Sequence, residues 1–339
     1  MIALSGGGTG GHLASLRVLK KAFMEQGVDS ILIGSTYGQD SHWFAGEEGF
    51  AARYFLDTRG VMGRGFFNKI ISLSMVIMGV IKSIHILRRH KVKAVLSVGG
   101  YAAAAASFAS VILRIPFFIH EHNTVAGQLH RLLSPFARVI FNSYEERSPV
   151  RDYPVDEAFF DKRRLRKRVN RILFLGGSQG AEFINNFALE VAPLLHQRGI
   201  EIAHQTGERE FDYLKDRYRA LNSNADIFPF EQDMAIRMAE ADFAVTRAGA
   251  GTLWELAANG LPALFVPYPY AVRDHQYQNA KFFADMGLGF LIRESSLKPE
   301  ILFSALNGEI SEISNRLMKL IHPGGADKMA AYVLKSIGI

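Results

Sequence analysis

The sequence predicts an α/β protein of two Rossmann-like, doubly wound domains facing across a cleft. Three observations lead to this. Short apolar runs alternate with longer helical stretches, the pattern of parallel βαβ units. A strand, a glycine loop and a helix follow one another at the N-terminus, and the same order returns at residue 171. The length of 339 residues also exceeds what a single hydrophobic core usually serves.

Taken in order, Met1 to Ser5 reads as the first strand, Leu13 to Gln26 as a helix and Ser30 to Gly34 as the second strand. Further strands fit Ala94 to Val98, Phe117 to His120 and Arg138 to Phe141. The second series opens with Arg171 to Leu175 and continues with strands at Ile200 to His204, Phe243 to Thr246 and Ala263 to Val266. The expected division is an N-terminal domain over 1–160, a C-terminal domain over 161–322, and a last helix over 323–339 packing back on the first domain.

Composition narrows the chemistry. With 48% hydrophobic and 21% charged residues the chain is expected to be ordered. It has no cysteine, so disulfides, thiol nucleophiles and thiolate metal sites are excluded. The N-terminus runs straight into glycines without a basic region or cleavage site, so no export signal is expected. A net charge of +6 points to an anionic partner. The densest basic run, Lys162 to Arg168, falls at the expected domain boundary and reads as a solvated linker.

One strongly apolar helix is expected at Ile70 to Leu87, interrupted by Lys82 and His85 and flanked by Arg64, Lys69, Arg88, Arg89 and Lys91. It fits two places equally well: a membrane interface with anionic headgroups, or the core of an α/β domain.

Gly6-Gly7-Gly8-Thr9-Gly10-Gly11 satisfies the dinucleotide pattern of a strand, glycines and a helix. That site also needs an acidic residue ending the second strand, which instead ends Leu32-Ile33-Gly34-Ser35-Thr36. A dehydrogenase is therefore disfavoured. The glycines still offer close backbone approach and amides at a helix N-terminus, which suits an anionic group. Gly176-Gly177-Ser178-Gln179-Gly180 makes the same offer in the second series.

Residues 241–260 read as a strand, a small-residue loop and a helix closed by Gly260 and Pro262, a third helix N-terminus open to phosphate. Glu255 is expected in about the first turn, where a carboxylate can accept both hydroxyls of a ribose. Macrodipole stabilisation, about 0.3–1 kcal/mol, is the alternative role. Asp274 to Ala280 places polar groups beyond a strand's carboxyl end, where open α/β sheets bind ligands.

These segments, together with Gly99-Gly100-Tyr101, His120-Glu121-His122-Asn123 and Arg247-Ala248-Gly249-Ala250-Gly251-Thr252, run in one order from residue 1 to beyond 290. In that order the chain resembles the MurG family of GT-B glycosyltransferases. The resemblance implies inverting transfer of N-acetylglucosamine from UDP-N-acetylglucosamine to the 4-hydroxyl of undecaprenyl-linked muramyl-pentapeptide (lipid I). It implies a peripheral enzyme on the cytoplasmic face of the cell membrane, the acceptor on the N-terminal domain and the donor mainly on the C-terminal one.

By resemblance, donor contacts fall at Thr9, Gly10, Gly11, Asn123 and Ser178. They continue at Ala250, Gly251, Thr252, Glu255, His275 and Gln276, with Phe230-Glu231 on the uracil side through its backbone. The chain departs from the family at Asp156, which follows Tyr153-Pro154-Val155 where an arginine is usual. It departs again at Ala103 and at Leu13-Ala14-Ser15.

Such a transfer needs a stabilised leaving diphosphate and a base for the attacking hydroxyl. Loop amides and helix N-termini serve the first need, and no paired aspartates of the DxD kind stand near a strand end, so no metal or other cofactor is expected. His12, at the start of the first helix, is the leading candidate base, and a helix N-terminus favours its neutral form. Glu121 is the weaker candidate. The alternative function is another GT-B transfer to a different lipid or small-molecule acceptor. No nucleic-acid module interleaves the basic residues with stacking aromatics, so a nucleic-acid partner is not expected.

Overall fold

The computed structural model describes residues 1–60, 66–177, 180–231 and 233–339, with the side chains of 66–70 outside the description. The chain forms two compact units, Met1–Val155 with Gly324–Ile339, and Asp156–Pro323.

In the first unit β1 (Ile2–Gly6) leads to α1 (Gly10–Glu25), β2 (Ser30–Ser35), α2 (Asp40–Trp43), β3 (Ala52–Leu56) and α3 (Phe66–Arg89). Then come β4 (Ala94–Gly99), α4 (Ala104–Ile112), β5 (Phe117–Glu121), α5 (Gln128–Leu133) and β6 (Val139–Asn142). The six strands pair in parallel in the order β3-β2-β1-β4-β5-β6. The order reverses between β1 and β4, so the loops after these two strands flank the switch point where open sheets take ligands.

Both faces of this sheet are covered, which is why its strands read as unbroken apolar runs. Ile2 and Leu4 point to one side, with Leu16 and Phe23 of α1, and Ala3 and Ile31 to the other, with Leu87 of α3 and Ala105 of α4.

The second unit runs α6 (Glu157–Asp161), β7 (Arg171–Leu175), α7 (Glu182–His196), β8 (Glu201–Gln205), α8 (Phe211–Ala220), β9 (Asp226–Phe228) and α9 (Met234–Glu240). It continues with β10 (Phe243–Thr246), α10 (Ala250–Asn259), β11 (Ala263–Phe265), α11 (His275–Asp285), β12 (Phe290–Leu291), α12 (Pro299–Leu306) and α13 (Ile310–Leu320). Its sheet order, β12-β11-β10-β7-β8-β9, repeats the topology of the first. The last helix, α14 (Gly325–Ser336), belongs to the first unit, where Met329, Ala330 and Val333 are fully buried against the α1 side of the sheet.

The apolar helix expected at 70–87 is α3, and it is two-sided. Against Ala105 of α4 a Cβ on Gly79 would stand only 3.1 Å away, so the helices touch closely there, while Ile71, Leu73, Ile77, Met78 and Ile81 are about half exposed. One face is core and the other offers an apolar row to solvent.

In the basic run at 162–168, Lys162, Arg163, Lys167 and Arg168 are exposed as expected of a solvated linker, while Arg164 and Arg166 depart from it. Arg166 is fully buried and donates to the carbonyl oxygens of Met238 and Ala241, and to both the carbonyl and the side-chain oxygen of Asn259. Arg164 donates to Ala239 and Ala241 carbonyls and to the Asp242 carboxylate. The two cations close the C-terminal ends of α9 and α10, where orphan carbonyls carry partial negative charge.

Candidate active site

In the first unit the site grows from the turn after β1. Gly7 and Gly8 take positive φ, and a Cβ on Gly7 would collide with the Asp40 carboxylate. Asp40 reaches into the glycine turn from the start of α2, accepting the Gly8 amide hydrogen at 2.6 Å and the Ser35 amide hydrogen at 2.9 Å. Burial raises its carboxyl above the usual range, and the amide hydrogen bonds offset part of that. An acidic residue does follow β2, then, but it is spent inside the loop rather than on a ribose. The loop was expected to offer its amides to a bound anion; at Gly8 that place is filled by the chain's own carboxylate. Gly10 and Gly11 lie in the first turn of α1, where amides have no intrahelical acceptor.

His12 stands third in α1, its Nδ1 2.9 Å from Thr9 Oγ1. Its ring lies over the turn after β4. Gly99 and Gly100 are both in the left-handed region, and side chains there would press on the His130 and His12 rings or strike the Gly7 carbonyl. The Gly-Gly-Tyr motif is therefore a platform for His12. Its Tyr101 donates to the Tyr37 carbonyl oxygen at 2.7 Å and packs on Gly8.

Glu121, at the end of β5, is buried with both carboxylate oxygens engaged. Oε1 accepts the Asn123 amide at 3.0 Å, and Oε2 accepts the Gly127 amide at 3.0 Å and His130 Nδ1–H at 2.7 Å. Burial alone would push its carboxyl up; His130 and the two amides more than offset this and hold it below the ordinary value. His130 Nε2 in turn meets Ser97 Oγ at 3.1 Å, and Ser97 Oγ accepts the Gly99 amide. This chain of hydrogen bonds ties the β5 loop to the platform under His12. Asn123 sits half-buried on that loop, its carbonyl accepting from Asn142.

Beside His12 lie two further imidazoles. His122 is 4.7 Å from the His12 ring, nearly perpendicular, and His120 is 4.4 Å from His122. The Tyr153 hydroxyl is hydrogen-bonded to His122 Nδ1. Burial lowers His120 to about 3 and His122 well below the usual histidine value, so both are neutral near pH 7.

In the second unit Ser178 lies outside the described residues. Ala250, Gly251 and Thr252 form the first turn of α10, again with amides lacking an intrahelical acceptor. Glu255 falls in the second turn rather than the first, half-buried. Burial, and then the charge of Asp156, push its carboxyl up to about 7. Asp156, standing where the family's arginine was expected, caps α6 by accepting the Ala158 amide at 3.0 Å.

Gln276 spends its carbonyl oxygen on the Ala248 and Tyr268 amides, at 3.2 and 3.0 Å, and so braces the loop ahead of α10. His275 donates Nδ1–H to the Val272 carbonyl at 2.9 Å, which leaves Nε2 as the acceptor in the neutral ring. Arg247 donates to the Val266 carbonyl and pairs with Glu294. Glu231 turns its carboxylate to the Asp233 amide and Arg237. Among the described residues no group of three or more His, Cys, Asp or Glu is placed to hold a metal ion.

Sequence reasoning missed Asp40, Ser97, His130 and Tyr153. None sits in a glycine motif, and each acts through a partner distant in the chain.

Against this geometry, a curated protein of Wolinella succinogenes is 49% identical over 333 residues, spanning 98% of this chain and 99% of its own length. It is named UDP-N-acetylglucosamine–N-acetylmuramyl-(pentapeptide) pyrophosphoryl-undecaprenol N-acetylglucosamine transferase. The chain belongs to glycosyltransferase family 28. The N-terminal domain of family 28 matches residues 2–142 and its C-terminal domain matches 171–323. A Helicobacter hepaticus protein of the same name is 42% identical, with 98% of each chain covered. The crystal structure of Acinetobacter baumannii MurG superposes with a TM-score of 0.78 at 30% identity, covering 99% of both chains. A Streptomyces glycosyltransferase solved with thymidine diphosphate, at 16% identity and a TM-score of 0.64, shares the fold alone. The two six-stranded parallel sheets are thus the Rossmann-like domains of the GT-B fold.

Proposed function

We propose that this family 28 protein transfers N-acetylglucosamine from UDP-N-acetylglucosamine to the muramyl 4-hydroxyl of lipid I, giving lipid II. The observation that carries this is the near-full-length likeness to enzymes named for that reaction. The donor rests on the second unit, its diphosphate at the α10 N-terminus and its ribose on Glu255; His275 and Gln276 belong to the same surface. Helix amides stabilise charge that develops on the leaving diphosphate, and no metal is required.

His12 is the base. With Nδ1–H donated to Thr9 Oγ1, its Nε2 is the atom that takes the acceptor proton as oxygen attacks the sugar C1 and UDP departs from the opposite face. Glu121 acts through His130 and the β5 loop, positioning the platform rather than taking the proton. The exposed apolar row of α3, with Arg88 and Arg89 at its end, seats the first unit on an anionic membrane surface where the lipid acceptor lies.

The test is transfer of labelled N-acetylglucosamine to a short-chain lipid I analogue, with and without EDTA, for the wild type and His12→Ala. EDTA-resistant transfer that falls at least 100-fold in the variant, about what one general base contributes, is the expected result. Donor binding without transfer would overturn the acceptor assignment, and transfer undiminished in His12→Ala would overturn the base.

A further inference from the structure

Two adjacent residues outside the donor contacts, Arg293 and Glu294, reach both of the loops that carry those contacts in the second unit. They stand just past the edge strand β12, at the carboxyl end of the parallel sheet, where α10 and α11 also begin. Arg293 donates to Asp274 Oδ2 at 2.8 Å and lays its guanidinium over the Tyr277 ring, 3.9 Å from the centroid. Glu294 pairs with the largely buried Arg247, which also donates to the Val266 carbonyl at 3.1 Å.

The turn that Arg293 meets is strained. Arg273 and Asp274, the two residues ahead of α11, both lie in the left-handed region, at φ of 56° and 55°. Aspartate tolerates that region singly, but two such residues in succession, one of them arginine, persist only where surrounding contacts hold them. Asp274 Oδ1 is buried with no hydrogen-bond partner among the described residues, so the pairing of this carboxylate rests on Oδ2 and Arg293. Gln276 joins the two loops. Its Oε1 accepts the amide of Ala248, next to Arg247, and the amide of Tyr268, in the segment that runs to Asp274.

We propose that Arg293 and Glu294 are positioning residues for the donor, a charged strut that holds the first turns of α10 and α11 in their donor-binding arrangement. They act through Asp274 and Arg247 rather than by contact with the donor. The inference deepens the reading of α10 and α11 as donor surface and rests on it. A half-exposed ion pair such as that of Arg293 contributes little to global stability, so its effect lies in the local geometry it selects before the donor arrives.

The experiment measures UDP-N-acetylglucosamine affinity by calorimetry on the full chain, with kcat at saturating donor and the thermal midpoint, for Arg293→Met, Glu294→Gln and Arg293→Met with Arg273→Gly. If about one molecule in ten keeps the arrangement once the strut is cut, donor Kd rises about tenfold in the first two variants. Saturating donor itself selects the arrangement, so kcat stays within about twofold. Glycine takes the left-handed conformation without steric cost, so Arg273→Gly recovers most of the affinity that Arg293→Met loses, a rescue that a merely structural role would not give. Should Glu294→Gln, which cuts the more buried pair, fail to fold, Arg293→Met carries the test. Donor affinity unchanged in Arg293→Met while His275→Ala weakens it overturns the strut alone. A loss that Arg273→Gly leaves in place overturns it as well, since the strained turn is then not what Arg293 holds. Affinity unchanged in both His275→Ala and Gln276→Ala overturns the donor surface at α11, and this inference with it.

Discussion

Asp40 Oδ1 accepts the Gly8 amide hydrogen at 2.6 Å, so the first glycine turn is closed by an anion of its own. Asp40→Ala would strip two buried amides, Gly8 and Ser35, of their acceptor. The expected cost is about 1–3 kcal/mol per orphaned amide, read from the denaturant midpoint. Because the turn leads into Thr9 and His12, kcat should also fall about tenfold, the order expected from loosening a positioned base. Donor Kd should change less than kcat, since the proposed donor surface is mainly on the other unit. A loss of donor affinity with kcat intact would contradict this.

Glu255 gives the donor site a pH dependence with a definite sign. A carboxylate must be ionised to accept ribose hydroxyls, and in the free protein this one titrates at about 7. Affinity for UDP-N-acetylglucosamine should weaken about tenfold between pH 8 and pH 6, and Glu255→Gln should bind weakly at both. Asp156→Asn removes the second cause of the elevated value and should move the inflection to lower pH. Stability runs the other way. The protonated side chain's contribution is complete below the ordinary value of 4.5 and is lost as pH rises through about 7. Calorimetric titration from pH 6 to 8 measures the binding trend, and a flat profile would remove Glu255 from the ribose site.

Replacing Arg166 by Met should be among the more damaging changes far from the proposed chemistry. It would leave the Met238, Ala241 and Asn259 carbonyls buried without their donor, a loss of about 3 kcal/mol or more. Lysine has one ammonium in place of a planar fork and should recover only part. Thermal unfolding of the three proteins side by side checks the ranking, and a lysine variant as stable as the wild type would contradict it.

On α3, Ile77→Asp with Ile81→Asp places two charges on a face that is about half exposed, so the fold should be preserved. Association with vesicles of anionic phospholipid should be lost while donor binding is retained. Unchanged vesicle association would show that this face does not meet the membrane.

Legibility in the sequence followed burial. Strands covered on both faces, such as β1, β4, β7 and β10, announce themselves as apolar runs beside glycines. The strands that reading missed, β3, β9 and β12, all lie at sheet edges. There they are short, or alternate with half-exposed polar residues, and so lack a continuous apolar signature. The basic run misled for a related reason: composition cannot tell a solvated arginine from one whose guanidinium ends two helices. In the site, the glycine motifs and His12 are local and legible. The Glu121–His130–Ser97 chain joins residues up to 33 positions apart, and Asp40 reaches 32 positions back to Gly8, so folding alone brings these groups together.

The placement of α14 bears on how the molecule is made. Four of its side chains, Met329, Ala330, Val333 and Leu334, complete a core whose first strand is residues 2–6. A ribosome therefore finishes the second unit, Asp156–Pro323, before the first has all its parts. Until α14 emerges, the side of the first sheet carrying Ile2 and Leu4 keeps an uncovered apolar strip, the kind of surface that invites aggregation or chaperone capture. The unit begun first closes after the unit begun second.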